Sequence, residues 1–85
     1  MTEERVVVKA SVGLHARPAA AFVQEALKHK CKIQVESMGR KADGKSILQV
    51  LGLGVKCNQE IIVRAEGAGE AKAVAALVNL INVTA

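Results

Sequence analysis

A histidine and an arginine stand two residues apart in the segment Gly13-Leu14-His15-Ala16-Arg17-Pro18-Ala19-Ala20, which opens a run of helix-forming residues. Proline is tolerated in the first turn of a helix, because the first amides have no partner inside the helix. If His15 is the N-cap, the free backbone amides of Ala16 and Arg17 and the positive end of the helix dipole converge beside the imidazole. The segment therefore predicts a phosphate-binding position next to a histidine.

The chemistry predicted for this position is transfer of a phosphoryl group to and from the His15 ring. The helix dipole disfavours the imidazolium form, so the neutral ring keeps a lone pair that can attack phosphorus. After phosphorylation the ring is negatively charged, and the Arg17 guanidinium can bind phosphate oxygens in a bidentate manner. The alternative interpretation is a helix-start histidine with local hydrogen bonds only and Arg17 as a solvated charge.

A second segment, Lys45-Ser46 followed by Ile47-Leu48-Gln49-Val50-Leu51-Gly52, combines a capping residue with four apolar residues in five. Serine is a favoured N-cap, and Gly52 and Gly54 limit the predicted helix to about two turns. Only one face of so short a helix can reach the core. We therefore expect some of Ile47, Leu48 and Leu51 on the surface, where an apolar patch often marks a partner site.

The composition narrows the function classes. The chain has 85 residues, a net charge of +4 and one aromatic residue, which fits one domain over residues 1–85. Nucleic-acid binding lacks support, because there is no aromatic stacking platform and no dense Lys/Arg tract. Neither a signal peptide nor a membrane span is recognisable. Cys31 and Cys57 lie 26 residues apart without a CxxC motif, so we expect structural thiols, no metal, no cofactor and a cytoplasmic protein.

Hydrophobic periodicity predicts seven elements in the order β-α-β-β-α-β-α. They are a strand over Arg5–Ala10, a helix from Ala16 closed by Lys28-His29-Lys30, strands over Cys31–Glu36 and Lys41–Asp43 joined by a turn over Ser37–Arg40, a short helix after Ser46, a strand over Glu60–Glu66, and a helix over Glu70–Asn82. The expected buried stripes are Ala16, Ala19, Ala20, Val23 and Leu27 on the first helix and Ala71, Val74, Ala75, Val78 and Ile81 on the last. One-sided strands indicate an α+β fold, an open sheet with helices on one face.

The segments GLHARPAA (13–20) and KSILQVLGLG (45–54) resemble the two signatures of the HPr family, the histidine-containing phosphocarriers of the bacterial sugar phosphotransferase system. Their separation also fits, and the resemblance covers essentially the whole chain. It implies an open-faced β-sandwich with four antiparallel strands and three helices. It further implies that His15 becomes a pros-phosphohistidine, taking the phosphoryl group from enzyme I and passing it to an enzyme IIA, while Arg17 stabilises the phosphate.

The resemblance also assigns roles around Ser46. The matching serine in many Gram-positive members is phosphorylated by an ATP-dependent HPr kinase/phosphorylase, and a carbon-catabolite transcription regulator is a further implied partner. Partner docking would involve Ala20, Ile47, Leu48 and Leu51, and we expect a monomer. Val12 stands where the family often has a small polar residue, which removes a possible polar neighbour of the histidine. Gln49 and Gly52 differ from the residues common in low-GC Gram-positive members, which bears on the docking of particular partners. None of these departures threatens transfer at His15.

Three other functions are compatible with parts of this pattern. The first is the nitrogen-related HPr paralogue, in which the relay serves regulation; the Lys45-Ser46 helix favours the sugar branch. The second is a phosphate-sensing regulator without transfer, which His15 and Arg17 disfavour. The third is a basic RNA-binding α+β module, which would need aromatic or basic strand faces. The predicted strands over Cys31–Glu36 and Glu60–Glu66 show neither.

Overall fold

The fold is described from a computed structural model, which describes residues 1–9 and 16–83. The elements follow the predicted order, so the predicted α+β class is confirmed. They are β1 (Thr2–Val7), α1 (Ala16–Leu27), β2 (Lys32–Ser37), β3 (Arg40–Asp43), α2 (Ile47–Gly52), β4 (Glu60–Glu66) and α3 (Glu70–Val83).

The four strands form one antiparallel sheet in the order β1-β4-β2-β3. The inner strand β4 pairs with β1 from Thr2↔Ala65 to Val7↔Glu60 and with β2 from Lys32↔Glu66 to Glu36↔Ile62. The β2–β3 hairpin turns at Met38 and Gly39, whose φ angles of 51° and 79° are both positive. Two positive φ angles are what a type I′ hairpin turn requires, so the predicted turn is confirmed.

The core lies between the sheet and the helices. Alternate residues of β2 and β4, such as Val35 and Val63, are fully buried on the helix side. Phe22 of α1 and Leu77 of α3 are buried against them. Helix α3 contacts β1, β4 and α1, while α2 contacts α1 and β3. The three helices thus cover one face and leave the other open, as the one-sided strands predict.

The open face is polar and carries a charge network centred on Arg64. In register, Arg64 lies between Glu3 on β1 and Gln34 on β2. Its guanidinium donates to Glu3 Oε1 at 3.1 Å and also to Glu36. These carboxylates raise the pKa of Arg64, and its hydrogen bond lowers the pKa of Glu36. Cross-strand pairs of this kind stabilise a sheet face that contacts water.

The first strand differs from its predicted range of Arg5–Ala10, because β1 runs from Thr2 to Val7. Pairing with β4 extends the strand through the charged residues before Arg5, since Glu3 finds a partner in Arg64. At the other end, Val8 bonds to a turn and not to a strand: it donates to the Gln59 carbonyl at 2.9 Å and accepts from Asn58 N at 2.7 Å. Residue 10 lies outside the described part of the chain.

Two predicted helix stripes are partly wrong. On α1, Leu27 is 61 % exposed, and the buried residues are Ala19, Phe22, Val23 and Ala26. On α3, Ala71 and Ala75 are exposed, whereas Ala73, Val74, Leu77, Val78 and Ile81 are buried. In both helices the buried residues recur with the 3.6-residue period, but they lie on a different side of the helix from the predicted stripe.

Candidate functional site

The first turn of α1 carries the arginine that the sequence singles out. Helix α1 begins at Ala16, as predicted. Arg17 is exposed, and Pro18 and Ala20 are half-buried. His15 and the loop residues Ser11 to Leu14 lie outside the described residues, as does the side chain of Ala16. The roles predicted for His15 and for the Ala16 and Arg17 amides therefore stay predictions.

The predicted N-cap at Ser46 is confirmed. Ser46 has an extended backbone, and its Oγ accepts a hydrogen bond from Gln49 N at 3.4 Å. Ser46 N in turn donates to the Asp43 carbonyl at 3.0 Å. The hydroxyl therefore satisfies one of the amides that a helix start leaves without a partner.

Two residues that the sequence analysis does not assign to the site hold α2 in place. Gln49 Oε1 accepts from Asp43 N at 2.8 Å, so this side chain ties α2 to the end of β3. Arg40 Nη2 donates to the Gly52 carbonyl at 2.9 Å, at the end of the helix. The S-x-x-Q spacing of Ser46 and Gln49 is that of a capping box, in which the glutamine side chain bonds to the backbone amide of the N-cap serine. Here Gln49 binds Asp43 N and Ser46 N donates to the Asp43 carbonyl, so the pattern does not predict the first contact. No local pattern indicates the second.

The apolar residues of α2 divide between core and surface as expected. Val50 is fully buried, whereas Leu48 is 81 % exposed and Ile47 is 39 % exposed. Leu51 is partly buried and packs against the core. Helix α1, which carries half-buried Ala20, contacts α2. We call the four residues predicted to dock partners, Ala20, Ile47, Leu48 and Leu51, the docking patch; its exposed part is Ile47 and Leu48.

A lysine fixes the start of α2 relative to the end of α1. Lys45 Nζ donates to the His29 carbonyl oxygen at 2.6 Å. The His29 ring lies 3.0 Å from Glu25 Oε2, and this hydrogen bond lowers the pKa of the Glu25 carboxyl. These contacts agree with the interpretation of His29 as a helix-end residue. They also place the Ser46 cap at a defined position beside α1.

The remaining chemistry-bearing residues are dispersed. Cys31 is buried and Cys57 is half-buried, and both are free thiols, as predicted. Within residues 1–9 and 16–83, no three side chains of His, Cys, Asp or Glu are grouped to hold a metal ion. Among the same residues, no helix has the length and apolar character needed to cross a bilayer.

The sequence and the fold both match known proteins. The family model "PTS HPr component phosphorylation site" matches residues 2–83. The HPr-like protein Crh of Halalkalibacterium halodurans is 41% identical over 95% of this chain and 96% of its own length. The phosphocarrier protein HPr of Borreliella burgdorferi is 35% identical over 95% of this chain and 94% of its own.

Solved structures also match this chain in sequence and in fold. The crystal structure of HPr from Thermoanaerobacter tengcongensis is 43% identical, covers 99% of this chain and 94% of its own, and superposes with a TM-score of 0.96. Another structure from that organism, described as an HPr dimer, has a TM-score of 0.78 with 43% identity, covering 98% of this chain and 95% of its own.

Bacillus subtilis Crh, described as a swapped dimer, is 34% identical, has a TM-score of 0.79 and covers 99% of this chain and 97% of its own. Together with the Thermoanaerobacter dimer, it counts against the monomer expected from the sequence.

The family match spans nearly the whole chain, and it agrees with the two motifs and with the four-stranded open sheet. The proteins matched are phosphocarriers or HPr-like proteins, and their fold is the one described above. The chain therefore belongs to the HPr family of phosphocarrier components of the phosphotransferase system.

Proposed function

We propose that this protein carries a phosphoryl group on His15, receiving it from phosphorylated enzyme I and passing it to enzyme IIA components. The observation that carries the proposal is the family match over residues 2–83, which includes the histidine-arginine motif at the start of α1. The exposed Arg17 is available to bind phosphate oxygens, and the amides of the first turn add hydrogen-bond donors. In this role His15 is both acceptor and donor, so the protein is a substrate of enzyme I and not a free-standing enzyme.

The docking patch supports a role in protein–protein transfer. A side chain as apolar as Leu48 gains nothing from being 81 % exposed in the isolated protein. A hydrophobic contact surface would bury it and bring a partner close to the first turn of the contacting helix α1. The net charge of +4 favours partners with acidic surfaces. We propose that enzyme I and enzyme IIA dock here, in the cytoplasm.

Ser46 is the proposed site of regulatory phosphorylation by an HPr kinase/phosphorylase. Its hydroxyl is half-buried at the N-cap of α2, next to the exposed Ile47 and Leu48. A phosphate at this position would be favourably placed at the positive end of the helix. It would also add about two negative charges beside the docking patch.

A regulatory role of the Crh type is the second candidate function. It is favoured by the 41% identity to the Halalkalibacterium Crh and by the accessible Ser46 cap. In that case phosphorylated Ser46 would be recognised by a catabolite-repression transcription regulator, and His15 would be unused. The presence of His15 together with Arg17 favours the carrier.

One assay separates these two functions. The protein is incubated with phosphoenolpyruvate and enzyme I, and the phosphorylated residue is located by mass spectrometry under alkaline conditions. The carrier function predicts an acid-labile phosphoramidate on His15 that is absent from His15→Ala. A protein that stays unlabelled in this incubation, and accepts phosphate on Ser46 in a parallel incubation with ATP and the kinase, would be a regulator.

We also propose that the chain can form a dimer in solution. The two Thermoanaerobacter structures have the same 43% identity to this chain but TM-scores of 0.96 and 0.78, so the chain in the dimer is arranged differently. Light scattering across a concentration series tests this. A single mass near the 8.9 kDa of one chain at all concentrations would refute it.

A further inference from the structure

The open face of the sheet carries a groove that the proposed transfer does not use. Its volume is about 570 Å³, and it lies over β2, β3 and β4 with α2 at its rim. Five of its lining side chains are cationic and two are anionic. The docking patch contributes nothing to its lining, so this is a separate surface.

Three of the five cations gather at one end of the groove. Lys32 begins β2, with Lys30 two residues before it. Gly44 N donates to the Ile33 carbonyl at 2.8 Å, so β2 and the end of β3 stay adjacent up to Lys45. We call Lys30, Lys32 and Lys45 the lysine end. Glu66 on β4 lies opposite Lys32 in the strand pairing, so it is the carboxylate next to the lysine end.

Within residues 1–9 and 16–83, no ion pair neutralises the charges of the lysine end. Neither Lys30 nor Lys32 has an ion-pair partner among the residues that the structure describes. Lys45 Nζ donates to a neutral carbonyl and keeps two further N–H donors. The groove cation Arg64 is different, because Glu3 and Glu36 already bind it.

Next to the lysine end, the groove is lined by neutral amides. Gln34 lies between Arg64 and Asp43 in the register, and Gln49 follows at the rim. The oxygen of Gln49 is used by Asp43 N, which leaves its NH₂ group to donate. One Asp43 oxygen accepts from Lys45 N at 2.9 Å, and the other can accept from a hydroxyl. No aromatic side chain lines the groove, so a stacked base gains nothing here.

We propose that this groove binds a phosphate group at its lysine end, as part of a small hydroxyl-rich phosphate ester. Lysine ammonium groups are compact charges that suit the high charge density of a phosphate dianion. The volume far exceeds that of inorganic phosphate and lies within the range of small-molecule sites. The ester's hydroxyls contact Gln34, Gln49 and Asp43. Because the groove is open to solvent, binding is weak.

The test is a titration of the ¹⁵N-labelled full chain with sorbitol 6-phosphate, inorganic phosphate and sorbitol, followed by NMR at constant ionic strength. Amide shifts are expected over residues 30–34 and 43–49 with the ester. Inorganic phosphate should shift the same amides with at least ~3-fold weaker affinity, and sorbitol should shift none. Lys32→Gln should weaken ester binding by about three- to fivefold, the scale of one exposed ion pair.

Lys72→Gln is the matched control, because Lys72 is exposed on α3, outside the groove, and its loss changes the net charge equally. It should bind the ester like the unaltered chain. Lys32 is the test residue because its side chain forms no hydrogen bond or ion pair with the residues that the structure describes, so its loss does not threaten folding. Equal affinities for ester and inorganic phosphate, equal losses in the Lys32 and Lys72 variants, or shifts confined to the start of α1 would each overturn the proposal.

Discussion

Arg17 lies where its charge does not help the fold. It is exposed in the first turn of α1, and a cation gains nothing from the positive end of a helix dipole. The carboxylates Glu3, Glu25, Glu36 and Glu60 form ion pairs with cations other than Arg17. A side chain that adds little stability at an exposed helix start fits a role in binding phosphate, which we propose for Arg17.

Replacing Arg17 by alanine should therefore separate function from stability. We expect Arg17→Ala to slow phosphorylation by enzyme I by about 100-fold, the scale of losing one preorganised electrostatic contact. Its melting temperature should stay within a few degrees of the unaltered protein, because exposed substitutions rarely change stability much. The rate is measured by transfer from labelled phosphoenolpyruvate, and Lys72→Ala controls for the loss of one positive charge. A large fall in melting temperature with an unchanged rate would assign Arg17 to the fold.

The sequence predicts which residues of a strand are buried better than it predicts which side of a helix is buried. Glu60–Glu66 has the predicted bounds, because alternation with a two-residue period leaves one possible buried face. In α3 small apolar residues surround most of the helix, so the periodicity does not determine which side faces the sheet. Packing against β1 and β4 decides it and turns Ala71 outward. Similarly, β1 begins earlier than predicted because Arg64 accommodates Glu3 across the strands.

In the candidate site, too, neighbouring residues in the sequence predict some features, whereas other features depend on contacts between residues far apart in the sequence. The Ser46 cap follows from a serine placed just before a run of helix-forming residues. The exposure of Ile47 and Leu48 follows because so short a helix has more apolar residues than its buried face can hold. The contacts of Arg40 with Gly52 and of Lys45 with His29 join residues 12 and 16 positions apart, and no local pattern encodes them. They become visible only when the sheet and the helices are assembled.

The short helix α2 gives a prediction for Ser46. Ser46→Asp should keep the helix, because an acidic N-cap is favourable, but it should slow phosphorylation of His15 by placing negative charge beside the docking patch. The effect should be larger at low salt than at high salt. Ser46→Ala should transfer normally and lose up to ~1 kcal/mol of stability. Rates across a salt series, with circular dichroism as a check on the fold, provide the test. Equal rates for the two variants at every salt concentration would exclude this mechanism.

Glu70 joins the start of α3 to the start of β1, two elements at opposite ends of the chain. Its carboxylate accepts from Thr2 Oγ1 at 2.7 Å, from the Met1 amine at 2.9 Å and from Gly67 N at 3.2 Å. The hydrogen bond from Thr2 is the largest cause, and together these donors lower the pKa of Glu70 from 4.5 to about 2. Since the pKa is lowered in the folded state, the stabilisation is complete above pH 4.5 and is lost as the pH falls through 2.

Glu70→Gln should therefore melt a few degrees lower than the unaltered protein at pH 7. The difference should shrink between pH 4.5 and 2, where the carboxyl becomes protonated. Melting curves across this range measure it, and Glu4→Gln is the matched control, because Glu4 is exposed and has no ion-pair partner among the described residues. A difference that is constant from pH 7 to pH 2 would mean that the Glu70 charge does not contribute.

The proposed phosphocarrier function is tested by locating the phosphoryl group after reaction with phosphoenolpyruvate and enzyme I. We predict one phosphate per chain on His15, stable in alkali and lost in acid, transferable to an enzyme IIA and absent from His15→Ala. Ser46→Ala should be labelled to the same extent. Full labelling of His15→Ala, or an acid-stable label, would show that His15 is not the residue that carries the phosphoryl group.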